Sequence, residues 1–302
     1  MTDSTPVGVS VVVRTKNEAS HLGQVLETVA AQTLADHEVI VVDSGSTDRT
    51  LEIAHSFQVR LIEISPDQFT YGRALNLGFD QARGEFVACL SAHAVPASTN
   101  WLETLAKNFL DPRVAGVYGR HLPLPDCHPL DARAIHRRYP ERKRVQADVD
   151  FFSNSNSMIR RSIWVHQPFD ETLPASEDYL WAREVQRRAL LIVYEPFASV
   201  YHSHDETYEQ MYKRMFAIAR AMAVLEAGER RLAFCRLLAR LTVGAVVDIH
   251  VVLGRGLGAG VLGHAIRRRF WIEWGRYQGG RATTRHFTEN PSSENLGRPR
   301  AL

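Results

Sequence analysis

Two adjacent carboxylates, Glu177 and Asp178, have the side chains and the position in this chain that best suit acid–base chemistry. They follow Ser176 where a loop leads into a helical pattern, so both lie in the first turn of the predicted helix. A carboxylate placed there can take a proton from a hydroxyl group of a bound substrate. Without context, a structural role explains the pair better, because Ser176 can cap the helix and first-turn acidic residues favour its dipole. Residues elsewhere in the chain decide between the two interpretations.

Two polar motifs follow the first two apolar strands of the sequence. They contain Thr15, Asn17, Glu18, Asp43, Ser44 and Gly45. Each motif also opens a helix, so capping or a tight turn at Gly45 explains each one separately. Oxygens and backbone amides at such strand ends can also hold a nucleotide base, ribose or phosphate. Because two successive strands end in this way, the sequence favours a nucleotide site.

Apolar, β-branched runs that alternate with helical stretches predict an α/β fold with a mostly parallel central sheet flanked by helices. The predicted strands are Val9–Val13, Val39–Val42, Val59–Ile64 and Phe86–Leu90, and the predicted helices cover about 18–32, 47–57, 72–82 and 98–110. Further chain from 151 to 161, a helix at 178–188, and strands at 190–194 and 199–204 return to the sheet. The segment 123–150 is expected to be a long loop or a helical excursion. Ligands of such sheets bind beyond the carboxyl ends of the strands.

Composition narrows the function classes. With 302 residues, 45% of them apolar, the chain can bury a large core, and its net charge of +2 does not favour general nucleic-acid binding. The three cysteines have no paired spacing, and the N-terminus lacks the features of a secretory signal, so a cytoplasmic location is expected.

The motifs as a set resemble glycosyltransferase family 2, whose members have the GT-A fold. The matching segments are Val9-Ser-Val-Val-Val-Arg-Thr-Lys-Asn-Glu18, Val41-Val-Asp-Ser-Gly-Ser-Thr-Asp48, Gly84-Glu-Phe-Val-Ala-Cys-Leu90 and Glu177-Asp178. The resemblance implies that Thr15, Glu18 and Asp43 bind the donor nucleotide, with Asn17, Ser44, Gly45 and Ala92 in the same donor site. It also implies that Asp178 is the catalytic base, that Glu177 orients substrate or tunes its acidity, and that transfer inverts the anomeric carbon.

One segment departs from the family pattern. Where the family usually has a metal-binding Asp, the segment Leu90–Pro96 has His93. Imidazole can bind Mn²⁺ or a softer ion, whereas Mg²⁺ prefers oxygen ligands. Two alternatives stay open: His93 and His202 hold a divalent metal, Mn²⁺ or Mg²⁺, or the site is metal-free and Arg73 offsets the diphosphate charge. A structural role for His202 also stays open.

On the acceptor side, Asn154 and Asn156 can contact sugar hydroxyls and Trp181 can stack on a sugar ring. Turn chemistry and core packing are the alternatives. The pattern Phe69-x-Tyr-Gly-x-x-x-Asn76 resembles the rhamnosyltransferase-like branch of the family.

The C-terminal third is predicted to be helical. We expect a catalytic domain at 1–205, a helical region at 206–281 and a flexible tail at 282–302. The apolar stretch Leu241–Gly263 is interrupted by Asp248, His250 and Arg255, which disfavours a simple spanning helix. The basic and aromatic run 267–274 suits an anionic lipid surface, although a solvated helix face explains it nearly as well.

These features lead to one main hypothesis and two alternatives. By its resemblance, the chain is expected to be a cytoplasmic or peripheral membrane enzyme that moves a sugar from a UDP-, dTDP- or GDP-linked donor. The acceptor expected from the resemblance is a glycan or a lipid-linked acceptor, in surface polysaccharide assembly. A catalytically silent nucleotide- or glycan-binding module is the first alternative, made credible by the missing metal-binding Asp. A nicotinamide oxidoreductase is disfavoured because no Gly-rich turn follows the first strand.

Overall fold

A computed structural model of the chain describes residues 8–148, 151–203, 206–225 and 234–289. It divides into two compact units. The first comprises 1–173 and 177–204, and the second comprises 174–176 and 205–302.

The first unit is built on a sheet of nine strands within its described residues. The strands are β1 Val9–Thr15, β2 His37–Asp43, β3 Arg60–Glu63, β4 Phe86–Ser91, β5 Val95–Pro96, β6 Val114–Leu122, β7 Arg144–Gln146, β8 Asn156–Arg160 and β9 Leu191–Tyr201. Their order is β3-β2-β1-β4-β8-β6-β9-β5, and β7 pairs with β9. The four N-terminal strands are parallel, as predicted. Strand β8 runs antiparallel between β4 and β6, so the second half of the sheet is mixed.

Seven helices connect these strands. They are α1 Leu22–Ala30, α2 Thr50–His55, α3 Tyr71–Gln81, α4 Trp101–Ala106, α5 Pro129–Arg138, α6 Arg161–His166 and α7 Glu177–Arg187. The segment 123–150, expected to be a loop or a helical excursion, contains both a helix and the short strand β7. Helix α5 begins there because Pro129 suits its first turn and the His128 side chain accepts a hydrogen bond from the Leu130 amide.

The alternation of side chains along β1 builds a core on both faces of the sheet. Val11 and Val13 pack on one face with helix α1, and Val12 packs on the other face with helix α3. All three valines are fully buried. Since Arg14 is two residues after Val12, it lies on the α3 face of the sheet, at the carboxyl end of the strand.

The second unit contains helices α8 Tyr208–Leu225, α9 Phe234–Gly254 and α10 Ala259–Glu289. Gly275 lets α10 approach α8 closely, because a Cβ atom there would lie 2.7 Å from the Tyr212 carbonyl oxygen. Helix α10 extends to Glu289, past the predicted boundary at residue 282, and the rest of the predicted tail, residues 290–302, lies outside the described chain. Among the described helices, α9 alone is long and apolar enough to cross a membrane.

Candidate active site

Three loops leave the same edge of the sheet. The parallel register places Thr15 at the end of β1 beside Asp43 at the end of β2, and it places Arg14 beside Ser91 at the end of β4. The loops that follow β1, β2 and β4 therefore lie side by side at the carboxyl ends of the strands, as the strand pattern predicted.

Hydrogen bonds join the first two of these loops. The Asn17 amide donates to Ser46 Oγ at 2.8 Å, and Asn17 Oδ1 accepts from the Thr47 amide at 2.8 Å. Asn17 adopts a left-handed backbone conformation with a φ of 54°, which asparagine tolerates better than most residues. The predicted donor loops therefore form one connected layer.

The turn after β2 is held by the fully buried Asp43 carboxylate. Its Oδ1 accepts from the amides of Gly45 and Ser46 at 2.9 and 2.8 Å. Gly45 has a φ of 80°, and a Cβ atom there would lie 2.5 Å from Pro66 Cγ. Only glycine therefore fits this turn without a shift of its neighbours.

Three other predicted donor-site residues lie beneath this layer. Thr15, Ser44 and Ala92 are each at most 5% exposed. The Ser44 amide donates to the Thr15 carbonyl oxygen at 3.0 Å, and the Ala92 amide donates to the Arg14 carbonyl oxygen at 3.1 Å. These residues support the layer through their backbone.

The third loop brings His93 to Glu18 and His202. His93 Nδ1 lies 2.7 Å from Glu18 Oε1, and the His93 ring stacks on the His202 ring with centroids 4.8 Å apart. Burial works to raise the pKa of Glu18, but the hydrogen bond and charge of His93, with a smaller effect of His21, bring it below its ordinary value. Two histidines far apart in sequence thus meet, as predicted; His204 lies outside the described residues.

A further imidazole, His121 of β6, was not predicted for this cluster. Its ring centroid lies 4.5 Å from that of His202 and 4.2 Å from that of Tyr139. The sequence signal was a histidine inside a strand whose other side chains are largely buried. It could not be assigned to the site before the position of β6 in the sheet was known.

The donor atoms of this cluster suit a divalent ion. Imidazole nitrogen with a nearby carboxylate favours Mn²⁺ and other borderline ions over Mg²⁺. The contact of Glu18 with His93 Nδ1 is the arrangement that commonly orients a metal-binding imidazole, leaving its Nε2 for the metal. The side chains brought together here are therefore of the ligand types that such an ion takes.

The carboxylate pair lies at the start of α7, after Ser176, whose φ is 65°. Glu177 is 4% exposed, whereas Asp178 is only half-buried. Asp178 Oδ2 accepts from the Asn154 amide at 3.2 Å, and Oδ1 accepts from the Tyr179 amide at 2.7 Å. The more accessible carboxylate is thus oriented by two backbone groups.

The two carboxylates differ in protonation. Burial, and then the charge of Asp178, raise the pKa of Glu177 to about 8. Burial also raises the pKa of Asp178, against the amides of Tyr179 and Asn154 and the charge of Arg14. The raised pKa of Glu177 favours its protonated form near neutral pH, and the raised pKa of Asp178 makes its carboxylate a stronger base than that of an exposed aspartate.

Arg14 is a cation of this site that was not predicted. Its Cζ atom lies 5.0 Å from the centroid of the Tyr71 ring, and its charge lowers the pKa values of Glu177 and Asp178. Its Nε is buried and has no hydrogen-bond partner among the described residues. The sequence signal was an arginine in an otherwise apolar strand.

Arg73, the predicted diphosphate cation, forms an ion pair with Glu171 at 3.3 Å. The neighbouring Asn76 donates to the carbonyl oxygen of Phe169 and to Glu171 Oε1, both at 2.9 Å, and accepts from Trp164 Nε1 at 3.0 Å. Arg73 and Asn76 therefore bind α3 to the segment 169–171, which precedes the carboxylate pair in sequence.

Burial contradicts most of the predicted acceptor site. Trp181 is 1% exposed and its Nε1 donates to the Gln167 carbonyl oxygen at 2.7 Å, so the prediction that this ring stacks on a sugar is wrong. Asn156 is fully buried, where it accepts from Trp101 Nε1 at 2.9 Å and donates to the Ala198 carbonyl oxygen at 3.0 Å. The side chain of Asn154 is also buried, and its backbone amide orients Asp178 instead.

Comparisons with known proteins were made at the levels of sequence and structure. A sequence model described as Glycosyl transferase family 2 matches residues 10–165. An O-antigen chain rhamnosyltransferase of Salmonella typhimurium is 28% identical over 220 residues, which cover 69% of this chain and 70% of that protein. Another, from Salmonella anatum, is 33% identical over 196 residues, which cover 61% of this chain and 62% of that protein.

Two solved structures resemble the chain in fold. A mannosyltransferase from Pyrobaculum calidifontis, in complex with GDP-Man and Mn²⁺, aligns with a TM-score of 0.62 and 18% identity. The alignment covers 91% of this chain and 89% of that one. The TarS 1-349 structure from S. aureus in complex with UDP aligns with a TM-score of 0.51 and 17% identity, covering 94% and 92% of the two chains.

Proposed function

The chain belongs to glycosyl transferase family 2, and we propose that it transfers rhamnose from a nucleoside diphosphate donor to a surface glycan. The acceptor is a glycan or lipid-linked glycan under assembly, and the transfer inverts the anomeric carbon. Two relatives named as O-antigen chain rhamnosyltransferases support the sugar, as does the motif from Phe69 to Asn76.

The observation that carries the proposal is the carboxylate pair. Asp178 is half-buried and oriented by two backbone amides, whereas the neighbouring Glu177 is buried and its pKa is raised to about 8. In the proposed reaction the acceptor oxygen attacks the anomeric carbon and its proton passes to Asp178. The bond from that carbon to the diphosphate oxygen breaks, and the nucleoside diphosphate leaves.

The negative charge that develops on the leaving diphosphate needs a positive partner. His93 and His202 would hold a divalent ion, and such an ion would offset this charge when bound. Arg14 is the protein's own cation beside the carboxylate pair, and its charge favours the ionised form of Asp178 against burial, which raises the pKa of that carboxyl. Arg73 remains a second candidate, although Glu171 already neutralises part of its charge.

The donor nucleotide is proposed to bind across the connected loops after β1 and β2. Asn17, Asp43 and Gly45 hold these loops in one conformation, so nucleotide binding should cost little conformational entropy. A cytoplasmic location suits the three cysteines, none of which forms a disulfide in the described structure.

A transfer assay with a panel of donors tests the function. The purified chain is incubated with a lipid-linked acceptor and UDP-, dTDP- or GDP-linked sugars, with Mn²⁺ or a chelator, and the product linkage is determined by NMR. We expect one rhamnose donor to be used, with inverted configuration. Nucleotide binding without transfer or donor hydrolysis would support the silent binding module instead.

A further inference from the structure

Helix α9 has an apolar face that points to solvent. Val243 and Val246 are each 65% exposed and Leu253 is 68% exposed, and their spacing places them on one side of the helix. The opposite side contains the buried residues Leu237, Asp248 and Val252. We call the side with the two valines and Leu253 the outward face of α9.

The outward face is unusually apolar for an exposed helix. Helix α9 is apolar over most of its length, and less than a fifth of its most apolar stretch is buried. On α10, the exposed side chains of Ile266 and Phe270 add further apolar area. Exposed apolar area of this kind usually marks a binding surface.

The exposed charges of α9, and of α10 through residue 282, have a single sign. Residues 234–282 contain two acidic residues, Asp248 and Glu273, which are 5% and 3% exposed. Arg269 donates to both carboxylate oxygens of Asp248 at 2.8 to 3.0 Å, and Arg276 Nη1 lies 2.6 Å from Glu273 Oε1. The same range contains eight arginines: Arg236, Arg240, Arg255, Arg267, Arg268, Arg269, Arg276 and Arg281. The described surface of α9 and α10 through residue 282 therefore has cations and no exposed carboxylate.

We propose that the outward face of α9 binds the surface of an anionic lipid bilayer, with the helix axis lying along the membrane plane. The valines and Leu253 enter the boundary between headgroups and acyl chains, and Arg236 and Arg255 contact lipid phosphates near the two ends of the helix. This surface belongs to the second unit and goes beyond the proposed transfer reaction.

A lying orientation follows from the charged pairs of the helix. A spanning α9 would carry the Asp248–Arg269 pair, and Arg240 near Glu273, into or beside the hydrocarbon layer. Charged groups at that depth are costly even when paired. A helix in the membrane plane buries its apolar face and leaves the side that contacts α10 away from lipid.

Vesicle flotation of the purified full-length chain tests the proposal. The vesicles contain phosphatidylcholine alone or an equal mixture with phosphatidylglycerol. We expect flotation with the anionic vesicles only. Binding should weaken strongly between about 0.1 M and about 1 M salt, as the Debye length falls from about 10 Å to about 3 Å.

Two sets of variants separate the apolar from the charged contribution. The double variant Val243→Glu/Val246→Glu should weaken vesicle binding by more than about tenfold, because it places charge in the apolar face. Arg236→Gln and Arg255→Gln should each weaken it by about fivefold. The matched control is Val145→Glu/Val165→Glu, at valines that are 61% and 55% exposed in the first unit, and it should bind like the parent.

Several results would overturn the proposal. These are equal binding to neutral vesicles, unchanged binding by the Val243→Glu/Val246→Glu variant, or attachment that resists both high salt and alkaline extraction, as a spanning helix would show. Absence of vesicle binding together with a dimer that this variant converts to a monomer would show that a second copy covers the face. Nucleotide binding and circular dichroism of each variant establish that it is folded.

Discussion

The donor side of the site and its predicted acceptor side differ in where their polar residues lie. On the donor side, Asn17 and His93 lie in loops beyond the ends of parallel strands, and Asp43 is the last residue of β2. On the acceptor side, Asn156 lies inside strand β8 and Trp181 inside helix α7, and both are buried. The side chains of Asn17 and His93 are at least partly exposed after their strands and are available to a ligand, whereas the buried amide of Asn156 in a central strand supports the core.

The largest effect on stability is expected for a substitution of Trp181. Because its ring is buried against Phe152 and Phe169, Trp181→Ala should lower the free energy of unfolding by about 3 to 5 kcal/mol. Urea unfolding measures this change, and Val165→Ala, at an exposed site, is the control. A stable variant with a raised acceptor KM would restore the sugar-stacking role.

Asn156 should show a smaller effect of the same kind. Asn156→Ala leaves Trp101 Nε1 and the Ala198 carbonyl oxygen without their partner, which should cost about 1 to 3 kcal/mol of stability. The KM for acceptor should stay unchanged below the unfolding temperature. The measurement pairs thermal unfolding with acceptor kinetics, and a shift in KM alone would contradict the structural role.

Glu177 should affect stability with a definite pH dependence. Its pKa is raised in the folded state from the ordinary 4.5 to about 8, so its contribution to stability is present below pH 4.5 and is lost as the pH rises towards 8. Glu177→Gln removes this loss, and the variant should be more stable than the parent by about 1 to 3 kcal/mol at pH 8, with the difference fading near pH 4.5. A difference independent of pH, measured by unfolding at both values, would show that Glu177 is not protonated by burial.

The smallest effect is expected on the donor side. Asn17→Ala removes the hydrogen bond to the Thr47 amide and disfavours the left-handed backbone, so nucleotide affinity should fall by about fivefold. Calorimetric titration with the preferred nucleotide measures it, with Asn108→Ala in the distant α4 region as the control. Unchanged affinity would show that the conformation of this loop does not contribute to binding of the donor nucleotide.

The sequence pattern predicted the strands and turns whose formation depends on residues close together in the chain. The β-branched runs located β1 to β4, and the polar motifs at their ends located the donor loops, because parallel register brings strand ends together. Long-range pairing decides the rest. Arg14 faces Tyr71 because of the side of the sheet that α3 covers, and His121 reaches His202 because of where β6 lies.

The acceptor predictions failed for the same physical reason. The run from Ser153 to Ser157 has the composition of a turn, but β8 inserts between β4 and β6, which buries Asn156 in the sheet. Its polar groups are then satisfied by Trp101 and by backbone carbonyls. Sequence alone does not distinguish a turn from a central strand with an internally bonded amide.

Sugar transfer by Asp178→Asn, measured together with its nucleotide affinity, tests directly whether Asp178 is the catalytic base. Transfer should fall by about 10²- to 10⁴-fold while nucleotide affinity stays near that of the parent, because the variant keeps its shape and loses the base. The control Asp80→Asn, at an exposed carboxylate of α3, should transfer normally. Transfer by Asp178→Asn at the parent rate would show that another group takes the proton.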